Sequence, residues 1–266
     1  MTILSTRARA AAESNEIPVE YTAQQAQELK RCAQSAEYFI ENYAKIEHPK
    51  MGMIPLKLHG YQRDLVRWVQ EDHIILKHPR QCGVTSTMLA FLLWETMFKS
   101  DRSTLLLFPR HSTAIMANHK ARDMYEALPT WLRAGATFMN GQRLAFENGS
   151  SMRFTTSIDS IGSCISFNRL FVDGFAYVDE SIQEKLVASM IPWPNGPQCV
   201  LASTPISRYD LFGQMYEYAE SNPSVLRPMS IEYSDLSHAS QEHAAEMASI
   251  VGEQRFKRDF CGEFTD

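Results

Sequence analysis

The feature that most constrains the fold of this chain is the stretch from Ile74 to Leu92. It begins as a short apolar run with β-branched residues, passes through a polar turn, and continues as an apolar helical pattern. Such a strand–loop–helix unit is typical of a phosphate-binding loop (P-loop), in which backbone N–H groups at a helix N-terminus hold phosphate oxygens. The stretch therefore predicts a strand and a helix joined by a candidate anion-binding loop.

The loop departs from the standard P-loop pattern, G-x-x-x-x-G-K-[ST], at two positions. Gly83 takes the second glycine, and Thr85 takes the hydroxyl position that holds Mg²⁺. His78, however, stands at the first glycine and Val84 at the lysine. A glycine and hydroxyl residues between a strand and a helix also fit an N-capped turn without a ligand. The frame of a P-loop is present, and its charge is missing.

Size and composition indicate a globular protein. The chain has 266 residues, 44% of them hydrophobic and 21% charged, which suits one large or two small domains with a buried core. No apolar run is long enough to span a bilayer, so no membrane contact is expected. Because the net charge is −5, contact with nucleic acid would need a local basic patch. The five cysteines include no C-x-x-C pair, which indicates neither a zinc site nor a disulfide framework and fits a reducing compartment.

The sequence predicts two regions, an irregular N-terminal segment and a domain with regular helix and strand patterns. Residues 1–20 predict a disordered leader that lacks the apolar core of a secretory signal. Residues 21–266 are predicted to form one domain, with a helical N-terminal part at about 21–55 and a core at about 56–266.

Within this domain, strands alternate with helices. The N-terminal helical pattern runs from Thr22 to Pro49, and Gly52 and Pro55 predict a loop. Beyond the P-loop helix, strands are predicted from Ser103, over Arg143–Phe146, over Ser151–Thr155, up to Asp173 and from Gln198, and helices at 111–128, 180–190, from Leu211 and at 239–260. This alternation predicts an α/β fold with a mostly parallel sheet flanked by helices.

Polar residues follow three of the predicted strands. They are Arg80–Thr85 after the first, Asp173 after another, and Ser203–Thr204 after a third. Ligands of open parallel sheets bind at the carboxyl ends of the strands. We therefore expect these residues to meet in space.

Four segments stand in a fixed order: Tyr61-Gln62, the loop, the strand that ends in Asp173, and Ala202–Pro205. This order resembles the ATPase domain of the large terminase subunit, the motor that packages DNA into tailed-phage capsids. The resemblance covers roughly residues 36–264, and includes further segments of similar sequence: Tyr38–Tyr43, Leu58–Asp64, Phe146–Ser151 and Arg255–Phe260. It implies a P-loop NTPase with a terminase or RecA-like core.

The resemblance implies a role for each matching residue. Nucleotide binding would fall to Tyr61, Gln62, Lys77, Arg80, Gln81, Gly83, Thr85 and Ser86. Tyr61 and Gln62 would contact adenine, and Arg80 would reach the γ-phosphate. Thr85 and Asp173 would bind Mg²⁺ through hard oxygen ligands. Ser203 and Thr204 match the motif that couples hydrolysis to movement, although Ser-Thr-Pro after a strand also fits an ordinary turn.

Three charged positions of the family are uncharged here. Val84 replaces the P-loop lysine, Gly174 stands at the position of the catalytic glutamate, and Ser163-Cys164 replaces an Arg-Gly pair. Losing one group that stabilises transition-state charge costs about two to three orders of magnitude in rate. We therefore expect weak ATP binding and slow or absent hydrolysis.

Other residues of the chain could take the place of the missing lysine and glutamate. Lys77, at the start of the loop, is placed to swing onto the phosphates, or it simply ends the strand in solvent. Asp179 and Glu180 offer a carboxylate near Gly174, or they form the N-cap region of the next helix.

The resemblance also implies partners and a location. It indicates packaging of double-stranded DNA with the portal and other terminase subunits, a ring of identical subunits, and a phage or prophage protein in the host cytoplasm, with ATP and Mg²⁺ as cofactors if the site functions. No acidic nuclease segment follows up to Asp266, so DNA cleavage is not expected. The alternative is a non-catalytic scaffold that binds the portal, a terminase subunit or DNA. A helicase-like translocase has no motif of its own in this chain.

Overall fold

The structure is a computed structural model that describes residues 21–157, 167–190, 197–237 and 239–265. The predicted leader lies outside these residues. The described helices are α1 (Ala23–Gln34), α2 (Ala36–Tyr43), α3 (Gly60–Trp68), α4 (Val84–Phe98), α5 (His111–Glu126), α6 (Glu180–Met190), α7 (Leu211–Ser221), α8 (Gln241–Val251) and α9 (Glu253–Cys261). The strands are β1 (Lys45–His48), β2 (Gly52–Pro55), β3 (Ile74–Lys77), β4 (Ser103–Leu107), β5 (Ala136–Met139), β6 (Arg143–Phe146), β7 (Ser151–Thr155), β8 (Arg169–Asp173), β9 (Gln198–Ser203) and β10 (Arg227–Ser230).

Eight strands form one sheet in the order β10-β3-β9-β8-β4-β7-β6-β5. The pairs β10–β3, β3–β9 and β9–β8 are parallel, whereas β5, β6 and β7 pair in antiparallel fashion. The prediction of a mixed α/β fold with a mostly parallel sheet is confirmed. None of the helices in the described part of the chain combines the length and apolar character needed to cross a membrane.

The chain divides into two compact units. The first comprises the residues up to Val66, together with Thr85–Leu105 and Ser112–Phe154. The second comprises Arg67–Val84, Leu106–His111 and the residues from Thr155 onward.

The first unit is built around α4. This helix is apolar on all sides and almost entirely buried, as expected for a helix that lies inside a core. The Nε1–H group of Trp94 donates to the carbonyl of Cys32 at 2.7 Å, which fastens α4 to α1. The start of α1 is a capping box, in which Thr22 and Gln25 each accept the backbone N–H of the other. The predicted N-cap at Thr22 is thus confirmed.

The N-terminal region departs from the prediction of one long helical segment. Ser35 ends α1 and caps α2, and the chain after Tyr43 forms the antiparallel hairpin of β1 and β2. Gly52 has φ 67°, a backbone conformation that favours glycine and lets the hairpin turn. The helical periodicity was extended too far, because the short alternating run after Ala44 fits a strand as well as a helix.

The second unit is built around the parallel strands β3, β9 and β8. Their central residues, such as Ile75, Leu201 and Phe171, are completely buried. Near-continuous apolar runs of this kind are typical of parallel strands that are covered on both faces. Arg169, at the start of β8, is buried as well and donates to the carbonyl of Val69 at 2.7 Å. The sheet thus provides a rigid base for the loops at its carboxyl edge.

Candidate functional site

Three neighbouring strands of the second unit end at the same edge of the sheet. Lys77, the last residue of β3, is aligned with Ser203 at the end of β9. Asp173, at the end of β8, is aligned with Ala202 on β9. The N–H group of His78 continues the ladder by donating to the Ser203 carbonyl at 3.1 Å. The start of the loop therefore meets Asp173 and Ser203 at the edge where parallel sheets bind ligands.

The loop between β3 and α4 contains two residues with positive φ. Gln81 has φ 62° and Gly83 has φ 77°, whereas the φ of Cys82 between them is not positive. Alternation of this kind turns successive N–H groups toward one side and forms a concave nest that suits an anion. Positive φ is uncommon for a residue such as Gln81, and backbone strain of this kind clusters at ligand sites.

His78 stands at the first glycine of the motif, and its imidazole is buried. Its Nδ1 lies 2.9 Å from the Pro79 carbonyl oxygen and 3.3 Å from the Cys82 sulfur. Burial alone would lower the pKa of His78, but Cys82, the Pro79 carbonyl and the charge of Asp173 together raise it. The His78 side chain fits at the position of the first glycine because it is buried within the second unit.

Val84 and Gly174 stand at two positions where the resemblance implies a charged residue. Val84 is only 2% exposed at the start of α4. Gly174 has φ 82°, and a Cβ added there would lie 3.4 Å from Cγ of Pro109. A glutamate at position 174 would be strained in this left-handed conformation. Ser163 and Cys164, the third replacement, lie outside the described residues.

Lys77 directs its ammonium group toward aromatic rings. Its Nζ lies 5.6 Å from the ring centroids of both Tyr216 and Phe264, within cation–π range. Burial, with a further contribution from the charge of Arg208, lowers the pKa of Lys77 despite the opposing charges of Glu232, Glu220 and Glu263. The structure therefore places this lysine in a half-buried aromatic setting.

Arg80 is held by helix α9, a contact that the sequence analysis did not identify. Its backbone N–H donates to the carbonyl of Asp259 at 2.7 Å, and its Nε lies 3.8 Å from the Asp259 carboxylate. Gly262, after α9, approaches the same loop so closely that a Cβ there would lie 3.0 Å from the backbone nitrogen of Pro79. The available signal in α9 was Arg255 four residues before Asp259, a spacing that places the two side chains on one face of a helix.

The predicted coupling residues lie at the end of β9. The hydroxyl of Ser203 accepts the N–H of Ala176 at 3.1 Å and donates to the Thr204 carbonyl at 2.8 Å. Because Ala176 follows β8, this bond ties the end of β9 to the segment after Asp173. Both Ser203 and Thr204 are buried, so displacement of either residue would also displace its neighbours at the edge of the sheet.

The remaining predicted nucleotide-binding residues lie in the first unit. The Tyr61 ring stacks on that of His59, with centroids 5.6 Å apart. Gln62 is buried and accepts the backbone N–H of His59 at 2.9 Å, as a capping residue of α3 does. Thr85 is the second residue of α4, and Ser86 lines a cavity of about 90 Å³ beside the β1–β2 hairpin and α5.

The oxygen donors of the predicted magnesium site fit that ion in kind. Mg²⁺ usually keeps several waters and takes only one or two carboxylates in addition to substrate phosphates. Asp173, at the end of β8 in the second unit, carries a carboxylate, and Thr85, on α4 in the first unit, carries a hydroxyl. Asp179 instead accepts the N–H and the hydroxyl of Ser181 at the start of α6, as an N-cap residue does.

No family model matches the sequence. The chain is similar to the large terminase of bacteriophage HK97, with a TM-score of 0.71 and 14% identity over 87% of this chain, and it spans 55% of that protein. It is similar to the large-terminase ATPase domain of Thermus phage P74-26, with a TM-score of 0.62 and 14% identity over 79% of this chain and 95% of that domain. A third similar structure is the large terminase of a thermophilic bacteriophage in complex with ADP, with a TM-score of 0.61 and 13% identity over 78% of this chain and 53% of that protein.

At these identities the likeness concerns architecture. It extends over most of this chain and includes a structure that consists of the ATPase domain alone. The described chain therefore has the fold of the ATPase domain of phage large terminases.

Proposed function

We propose that this chain is a terminase-type ATPase domain that acts in the packaging of double-stranded viral DNA, with a degenerate nucleotide site. The observation that carries the proposal is the loop backbone, with positive φ at Gln81 and Gly83 beside the ends of β8 and β9. An anion nest at the carboxyl edge of a parallel sheet is suited to nucleotide phosphates. The solved relative in complex with ADP supports the same ligand class.

In this proposal ATP is bound weakly and hydrolysed slowly or not at all. Phosphoryl transfer depends almost entirely on positioning and on stabilisation of charge. Val84 offers no charge to the phosphates, and Gly174 offers no carboxylate to position the attacking water. Arg80 remains as the exposed cation of the loop itself, and Lys77 reaches a nucleotide only if its ammonium leaves the rings of Tyr216 and Phe264.

The partners and location belong to the same proposal. The terminase fold supports work on double-stranded DNA with the portal and other terminase subunits, in a ring of subunits, in the cytoplasm of a bacterial host. Thr85 and Asp173 would hold Mg²⁺, and Tyr61 with Gln62 would contact the base. Ser203 and Thr204 would couple the nucleotide state to movement of the segment after β8.

Titration with a fluorescent ATP analogue tests the site directly. We expect binding that requires Mg²⁺ and that weakens about tenfold in Arg80→Ala, because a guanidinium–phosphate hydrogen bond contributes about 1.5 to 3 kcal/mol. Arg122→Ala is the matched control, since this exposed arginine pairs with Glu126 on α5. Absence of binding at millimolar nucleotide would reject the nucleotide function.

That negative result would favour a second candidate, a scaffold that binds the portal, a terminase subunit or DNA without ATP. The observation in its favour is the left-handed backbone of Gly174, because a glutamate at this position, which the resemblance assigns to the catalytic carboxylate, would be strained.

Restoring the missing charges tests the same feature. We expect Gly174→Glu to lower the free energy of unfolding by about 1 to 2 kcal/mol, the cost of a left-handed conformation for a residue with a Cβ. Combined with Val84→Lys, it should still give no steady-state phosphate release, because the carboxylate starts from an unsuitable backbone. Gly141→Glu is the control, since a Cβ at that glycine meets open space. Rapid ATP hydrolysis by the double variant would show that the lost charges alone explain the inactivity.

A further inference from the structure

Three arginines converge on one carboxylate beside the phosphate loop. The Asp259 carboxylate lies 2.9 Å from Nε of Arg258, 3.4 Å from Nε of Arg255 and 3.8 Å from Nε of Arg80. We call this group the arginine cluster. Two of its arginines come from α9 and the third from the loop, so the cluster joins the helix to the loop.

The charges of the cluster do not balance. Asp259 is 2% exposed, whereas the side chains of Arg80, Arg255 and Arg258 are 54%, 63% and 33% exposed. No second carboxylate of the described residues lies within ion-pair distance of these three guanidinium groups. Three positive charges thus share one buried negative charge, and the outward faces of the guanidinium groups remain accessible to an anion.

The cluster lies at the functional edge of the second unit. The Asp259 carbonyl accepts the N–H of Arg80 at 2.7 Å, which fixes the cluster to the loop backbone. The pKa of Arg258 is raised first by its hydrogen bond to Asp259, with a further contribution from Tyr177. Because Tyr177 follows Gly174 by three residues, the charge of Arg258 also acts on the segment after β8.

We propose that Arg255 and Arg258 bind the terminal phosphates of a nucleoside triphosphate and supply, from α9, the positive charge that Val84 no longer supplies. The proposal rests on the nucleotide function proposed above. A guanidinium presents a planar set of donors that matches two phosphate oxygens at once, and it stays charged at any physiological pH. Asp259 acts as a positioning residue: its carboxylate holds the guanidinium groups of Arg255 and Arg258 in place, and its single negative charge does not cancel their positive charge.

The full chain provides the test, with inorganic triphosphate and a fluorescent ATP analogue as separate probes. We expect Arg255→Ala/Arg258→Ala to weaken binding of both probes at least tenfold, as the loss of charge-assisted hydrogen bonds predicts. Lys257→Ala is the matched control, because this lysine lies on the same helix but pairs with Glu253. Arg255→Lys/Arg258→Lys keeps the positive charge but removes the paired guanidinium donors. Its affinity for both probes should lie between those of the unmodified chain and the double alanine variant.

The outcomes separate the two proposals. Unchanged affinity in the double alanine variant, with normal binding by the unmodified chain, rejects the arginine proposal and leaves the nucleotide function intact. An equal loss of affinity in Lys257→Ala also rejects the arginine proposal, because any positive charge on α9 would then have the same effect. Absence of binding of either probe by the unmodified chain rejects the nucleotide function together with this extension of it. Circular dichroism of each variant checks that binding is compared between folded proteins.

Discussion

Gly213→Ala should lower the free energy of unfolding by about 3 kcal/mol, at the upper end of what overpacking usually costs. A Cβ at this position would lie 2.4 Å from the carbonyl oxygen of Ser207 and 2.6 Å from Cα of Arg208. Both contacts are with backbone, so no side chain can rotate to relieve them. Helix α7 would have to move away from the backbone of Ser207 and Arg208.

Denaturant unfolding measures this effect. Gly60→Ala is the control, because Gly60 also lies in a helix but a Cβ there meets nothing within 4 Å. That control should be neutral or slightly stabilising, since alanine is favoured over glycine in helices. Equal stability of the two variants would mean that α7 and residues 207–208 move apart at little cost.

Asp259→Asn should also destabilise the protein, by about 2 kcal/mol at neutral pH, because charge-assisted hydrogen bonds to Asp259 are lost from a buried position. The larger cost of breaking a fully buried ion pair does not apply, since the arginines remain in contact with water. The exposed Glu253→Gln on the same helix is the control and should change stability by less than about 1 kcal/mol.

The pH dependence of this difference identifies its origin. Burial would raise the pKa of Asp259, but the hydrogen bond from Arg258 and the charges around it lower the pKa below the ordinary 3.8. A lowered pKa means that the stabilisation is fully present above the unfolded-state value and is lost as pH falls through the folded-state value. The stabilities of the unmodified protein and Asp259→Asn should therefore converge below about pH 4, and a constant difference down to pH 2 would assign the effect to packing.

The sequence was most informative where a pattern is local and repeated. Periodicity and strand–helix alternation predicted the sheet, and the run after Ile74 predicted the loop in which Gln81 and Gly83 have positive φ. The hairpin of β1 and β2 was missed, because a short run of alternating residues carries little information against a preceding helical pattern.

Contacts between distant segments were not available from the sequence. Nothing in the pattern around Asp259 indicates that its carbonyl and carboxylate face Arg80, which lies far away along the chain. The left-handed backbone of Gly174 was equally hidden, since the sequence shows only that a glutamate is absent. The sequence therefore predicted which charges are missing from the site, and only the structure shows which cations stand near it.

Residues 262–265, which follow α9, contact both the start of the loop and the segment after β9. The Phe264 ring lies over Lys77, Gly262 abuts Pro79, and the N–H of Thr265 donates to the Ile206 carbonyl at 3.2 Å. A displacement of residues 262–265 would therefore disturb both sets of contacts at once.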